Sequence, residues 1–172
     1  MKKFELTSEF VTNIFGTKLF RIKALVEFGN VEAGEFGGYV EKEENLSHDG
    51  DAWVYGDARV SGDARVCGDA EVYGNARVSG DARVSGDAWV SGDAEVYGNA
   101  DYAYAHGFGS INRTTTFFRI KDGGVGVRCG CFYGTLGEFR EKVRKTHGEG
   151  KLAQEYLMLA DLMEMRFTKE EG

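Results

Sequence analysis

Four basic side chains crowd one short segment, where Arg113, Arg119, Lys121 and Arg128 surround the run Thr114-Thr115-Thr116-Phe117-Phe118. Guanidinium forks grip phosphate through paired N–H groups, hydroxyls add polar contacts, and aromatic faces stack on a base. The mixture suits a small anionic, nucleotide-like ligand, with Arg113, Thr115, Arg119, Lys121 and Arg128 as candidate contacts. Alternate strand residues face opposite ways, so one strand cannot deliver all of them to one pocket. An ordinary half-exposed hairpin explains any single one of them equally well.

Metal chemistry is less well supplied. Cys129-x-Cys131 places two thiols on one face of an extended strand, and His147 is a further candidate ligand. Zinc takes four ligands, usually with wider spacing, and paired small apolar fillers are the simpler account. Asp57, Asp63, Asp69, Asp81, Asp87 and Asp93 recur on a strict period, but Asn75 and Asn99 occupy the same slot. Turn formation explains them better than calcium, so no metal is expected.

The elements that must carry these groups are set by a six-residue phrase running from Gly56 to Ala100: GDARVS, GDARVC, GDAEVY, GNARVS, GDARVS, GDAWVS, GDAEVY, GNA. Valine returns at every sixth position from Val54 to Val96, with alanine two places before each. Side chains two apart on a strand share a face, so each Ala-x-Val points two groups inward. Gly-Asp or Gly-Asn then turns the corner. Valine at every sixth place would walk around an α-helix, which excludes that reading; the period is that of a parallel β-helix.

The phrase resembles the hexapeptide-repeat family, and the resemblance implies a left-handed β-helix of triangular section with three hexads per coil. Positions eighteen apart then stack about 4.8 Å from one another. One wall carries Trp53, Tyr55, Glu71, Tyr73, Trp89 and Ser91; a second carries Arg59, Ser61, Arg77, Ser79, Glu95 and Tyr97; the third carries Arg65, Cys67, Arg83, Ser85, Asp101 and Ala103. The rings of Trp53, Tyr55, Tyr73 and Trp89 form an apolar patch that a monomer should not leave wet. Either another subunit or the chain's own ends must cover it, and on the first reading these four form the interface of a structural or protein-binding module. Val40 and Leu46 add an earlier coil before a two-residue slip near His48 and Asp49, for about four coils in all.

Enzymes of the hexapeptide-repeat family transfer acyl groups from coenzyme A with a histidine as general base. That resemblance makes His48 and His106 the candidate catalytic residues of an alternative, acyltransferase reading. A base needs a positioned partner and a substrate in reach, and no long loop interrupts the repeat to form such a site. A closer resemblance is carried by GGYVEKEENLSHDGDAWVYG, NRTTTFFRIKDG and CGCFYGTLGEFREKV, which look like uncharacterised phage and prophage hexapeptide-repeat proteins. It implies a phage setting and a homo-oligomer, with a trimer favoured and a dimer as the alternative.

The expected fold is therefore mainly β: an N-terminal β cap over 1–36, the repeat β-helix over 37–110, and a C-terminal hairpin with two α-helices over 111–172. Gly16 marks a hairpin bend near Asn13–Thr17, and Asp122-Gly123-Gly124 joins strands over 114–121 and 125–133. Thr135 and Glu138 make a capping box, and Gly148 ends that helix. A second helix spans roughly 151–167 with the stripe Leu152, Tyr156, Leu159 and Met163.

The chain of 172 residues has no proline, as suits ladders that use every backbone N–H. Its net charge of −7 is uneven. Residues 111–151 hold nine basic and four acidic side chains, the one basic block. A basic block favours an anionic partner, while the overall acidity opposes long nucleic acid. No apolar run spans a bilayer, and three cysteines point to a reducing cytoplasm, that of a bacterial host on the phage resemblance. The combined expectation is a non-catalytic, oligomeric binding protein that sequesters a nucleotide-like ligand, with no cofactor.

Overall fold

The repeat winds into a parallel β-solenoid of three walls, seen in a computed structural model that describes residues 1–168. Two-residue rungs stack in register: Trp53–Val54, Glu71–Val72 and Trp89–Val90 on the first wall, Arg59–Val60, Arg77–Val78 and Glu95–Val96 on the second, and Arg65–Val66 and Arg83–Val84 on the third. Every alanine from Ala52 to Ala94 and every valine from Val54 to Val96 is fully buried. Each such valine contributes about 1.5–3 kcal/mol of burial, and the sum holds the shaft. The corners need glycine: Gly62 has φ 63°, and a Cβ there would sit 3.1 Å from the Gly80 carbonyl oxygen of the next coil.

The slip lies where the residue spacing puts it. Val40 pairs with Val60 and Leu46 bridges to Val66, each twenty residues on instead of eighteen. The coils number about three, fewer than four, because the chain leaves the path after Val96. Asn99–Asp101 form a 3-10 turn, and Asp101 and Ala103 do not extend the third wall. Tyr102 follows in the vacated valine slot; its ring plugs the shaft, and its hydroxyl donates to the Arg83 carbonyl.

Parallel coils leave open rungs at both ends. The N–H of one coil donates to the carbonyl of the next, as Trp53 N–H does to Ala70 O at 3.1 Å and Arg59 N–H to Ala76 O at 2.9 Å. Bonds between paired rungs run the other way as well, so each mouth is left with open carbonyls and open N–H groups that must find partners. Side-chain donors serve the first mouth. The Lys3 ammonium donates to Gly50 O at 3.1 Å and Ala52 O at 2.8 Å, and the Asn45 amide donates to Gly62 O at 3.1 Å and Ala64 O at 2.8 Å. Side-chain acceptors serve the last: Thr116 Oγ1 takes Trp89 N–H at 3.0 Å, Asn99 Oδ1 takes Arg83 N–H at 2.8 Å, and Asp101 Oδ2 takes Tyr97 N–H at 2.9 Å.

The backbone around these caps comes from the two ends of the chain. Strands β1 (Phe4–Thr12) and β2 (Lys18–Ala24) form an antiparallel hairpin turning at Asn13–Thr17, and β2 pairs with β3 (Phe36–Val40), which lies on the second wall. At the other end, β4 (Tyr102–Phe108), β5 (Arg113–Arg119), β6 (Val125–Cys129) and β7 (Phe132–Thr135) make a four-stranded antiparallel sheet. The sheet thus begins at Tyr102, inside the segment assigned by sequence to the solenoid. The strand expected over 125–133 is broken by a turn at Gly130 and Cys131, with Gly130 at φ 58°. One sheet face packs Phe118 on the solenoid core; the other packs Phe117 and Val127 on helices α1 (Leu136–His147) and α2 (Lys151–Phe167). Thr135 caps α1 by accepting Glu138 N–H at 3.2 Å, and Gly148 closes it. No described helix is long and apolar enough to cross a membrane.

Candidate functional site

Period-two geometry separates the basic residues of the C-terminal sheet. Arg113, Thr115, Phe117 and Arg119 share the helix-facing side of β5, so Arg113 and Arg119 stand about 20 Å apart at its two ends. Arg128 pairs across from Thr116 on the opposite, solenoid-facing side, where its guanidinium lies 5.4 Å above the Trp89 ring. Arg119 is engaged: Nε donates to Asp101 Oδ1 at 2.9 Å and Nη1 to the Phe167 carbonyl at 3.0 Å, tying the end of α2 to the sheet. Lys121 is exposed near Asp93, whose carbonyl accepts its backbone N–H at 3.1 Å. Thr115 is fully buried, with its hydroxyl donating to the Cys129 sulfur at 3.3 Å. The five candidates therefore do not meet in one place: Arg119 and Lys121 share a second cleft with Glu95, Asp122 and Glu164, and Thr115 is withdrawn from any ligand.

One of them, Arg113, opens into a cleft of 470 Å³ between the sheet and the two helices. Its walls bring together Lys142 and His147 from α1, Tyr156 from α2, Phe132 and Tyr133 from β7, and the rim of Cys131. Three basic side chains and four aromatic rings line it, Phe139 being the fourth, and no carboxylate does. Neither Arg113 nor Lys142 has an ion-pair partner among the described residues. His147 sits in the last turn of α1, and its ring stacks at 5.9 Å on Tyr156. Burial, with Cys129 next to it, pushes the Tyr156 hydroxyl up to about 12, so it stays a neutral donor. Arg113 is seated on Gly130, where a Cβ would collide with its Nη1.

The other candidates fall elsewhere. His48 accepts the Lys3 backbone N–H on Nδ1 at 3.1 Å, which places its proton on Nε2 facing Glu43 at 2.7 Å, and it stacks on Phe4 at 4.4 Å. A ring so tied cannot take a substrate proton without breaking the cap. His106 is exposed on β4; the one nitrogen, Nδ1, meets Thr114 Oγ1 at 2.7 Å and Asp87 at 3.9 Å, and no cleft encloses it. Cys129 is buried and Cys131 exposed across the Gly130 turn, so the two thiols do not share one strand face. No cluster of metal-ligating side chains exists among the described residues.

The aromatic wall is covered at both ends by the chain itself. Trp53 is fully buried, edge-on to Phe28 at 5.2 Å and Phe4 at 6.3 Å, and is withdrawn as an interface residue. Trp89 lies under Arg128, leaving Tyr55 and Tyr73 half-buried and stacked at 4.3 Å between them. The Tyr73 hydroxyl donates to Glu71, and burial together with that carboxylate raises its pKa.

Lys142, His147 and Tyr156 were missed from sequence as ligand contacts because they join Arg113 only through the docking of α1 and α2. The basic face of 136–147 was the one available signal. Residues 52–68, 70–86 and 76–92 match the family model described as the YdcK beta solenoid repeat, and the matches lie wholly within the coils. No curated protein matches the chain. The chain folds as a β-solenoid with a sheet-and-helix extension, and its likeness to that family covers the coils alone.

Proposed function

We propose that this chain is a non-catalytic binding protein that captures a small, ring-bearing anion of nucleotide type in the cleft between the C-terminal sheet and its helices. The observation that supports it is the lining: Arg113, Lys142 and His147 beside aromatic rings, with no carboxylate, in a chain of net charge −7. Arg113 grips phosphate with its fork, Lys142 neutralises remaining charge, His147 offers a ring nitrogen for a hydrogen bond, and Phe132 or Tyr133 offers a face to a base. The volume suits a mononucleotide. The resemblance to phage-type repeat proteins supports a setting in which the captured molecule is a host-defence signal, held and not converted.

Heat-releasing whatever co-purifies with the protein and weighing it, alongside thermal shifts with mononucleotides, cyclic nucleotides and ADP-ribose derivatives, tests this. A bound nucleotide at 100 times its Kd should stabilise the fold by about 2.7 kcal/mol. Arg113→Ala and Lys142→Ala should abolish that gain with the apo melting temperature unchanged. Recovery of no nucleotide, with no shift from any compound, overturns the reading.

A further inference from the structure

Helix α2 is apolar on two opposite sides. Ala153, Tyr156, Ala160, Met163 and Phe167 are buried against the sheet and α1. On the far side Met158, Leu162 and Met165 stand at spacings of four and three, 70%, 49% and 71% exposed. Such spacing aligns them in a stripe, and a helix apolar on both sides is one that packs between two bodies.

The charges beside the stripe say what the second body is. At about 100° per residue, Glu155 and Arg166 fall roughly 60° and 80° from Met158, both on the same flank. The other flank carries Asp161, which is already paired with Arg140 of α1 at 2.9 Å. Neither Glu155 nor Arg166 has an ion-pair partner among the described residues. An acid and a base on one edge, equally far from the point between residues 160 and 161, form a self-complementary pattern. A two-fold axis across the helix near residues 160 and 161 keeps each flank on its own side and reverses direction, as an isologous contact requires. We infer that α2 is the contact through which two copies of this chain pair antiparallel, with Met158, Leu162 and Met165 interleaved and each Glu155 opposite the partner's Arg166. A parallel arrangement would leave these charges out of register. The contact is small for a protein interface, so the dimer is a micromolar one.

The full chain in sedimentation or light scattering at rising concentration tests this, with far-UV circular dichroism to confirm folding. The wild type should pass from monomer to dimer near about 10 µM, as suits so small a contact. Glu155→Arg and Arg166→Glu should each weaken pairing about tenfold, since each creates two like-charged contacts. An equimolar mixture of the two variants should restore it, because both contacts of the mixed dimer again join an acid to a base. Leu162→Glu should leave monomers that keep the circular dichroism signal. A wild type still monomeric at about 500 µM, or variants that the mixture does not rescue, overturns the proposal.

Discussion

Replacing Lys3 with methionine perturbs the first mouth of the solenoid at one atom. Lys3 is 3% exposed, and its ammonium donates to Gly50 O and Ala52 O and sits 4.6 Å over the Phe28 ring. Burial pushes its pKa down from the ordinary 10.5 to about 8, although Asp51, Asp49 and Asp69 pull the other way. Below pH 8 the lysine is charged in both folded and unfolded chains, and the full desolvation cost is present. Between pH 8 and 10.5 the unfolded chain holds a proton that the folded one has released, so stability must rise with pH in that window. The full shift would be worth about 3.4 kcal/mol at 1.36 kcal/mol per unit. Water reaching the rim of the mouth screens part of it, leaving on the order of 2 kcal/mol. Methionine removes the titration and orphans two carbonyls at about 1–3 kcal/mol each, less the relief of the buried charge. Urea unfolding of both proteins from pH 7 to 10 isolates the effect, since tyrosines and all other groups cancel in the difference. The wild type should be the more stable at pH 7, and its advantage should grow with pH. A difference that stays flat over that range would refute the assignment of Lys3 as a buried, strained cap.

Two further substitutions probe the second corner and the cleft. Asn45→Asp is nearly isosteric but sets a carboxylate against Gly62 O and Ala64 O; urea unfolding should show a loss of about 3 kcal/mol at neutral pH. The loss should shrink as pH falls from about 6 to about 4, where the folded carboxyl takes a proton before the unfolded one does, and level off below that. Gly130→Ala strains a left-handed turn and displaces the Arg113 guanidinium, so calorimetry with the nucleotide identified should show at least about tenfold weaker binding for only about 1–2 kcal/mol of stability.

The coils were legible because one period writes every rung: the eighteen-residue stacking, the buried Ala-x-Val core and even the two-residue slip before Val54 follow from counting. Lys3 and Asn45 were not, since each takes the place of a missing coil, and nothing in its local sequence marks a side chain that stands in for a backbone. Tyr102–Phe108 reads as a decaying repeat, yet it is the edge strand of the next sheet. The partner that decides this, Arg113–Arg119, lies beyond a turn. In α2 the sequence points to Leu152 and Leu159 for the buried stripe, whereas Ala153 and Ala160 face the sheet, because small residues let the helix approach closely. Of the proposed ligand contacts only Arg113 reaches the cleft, as alternation along a strand scatters its neighbours.

The capped mouths of the shaft have a consequence for assembly. A tube with open parallel rungs at both ends is a monomer of a fibre, since the bottom of one copy fits the top of the next. Lysine and asparagine plug one socket, while threonine, asparagine and aspartate fill the other, so growth along the axis is shut off at both poles. Any lasting union of copies must then form sideways, through the flanks or the helices, and the length of the object is settled within a single chain.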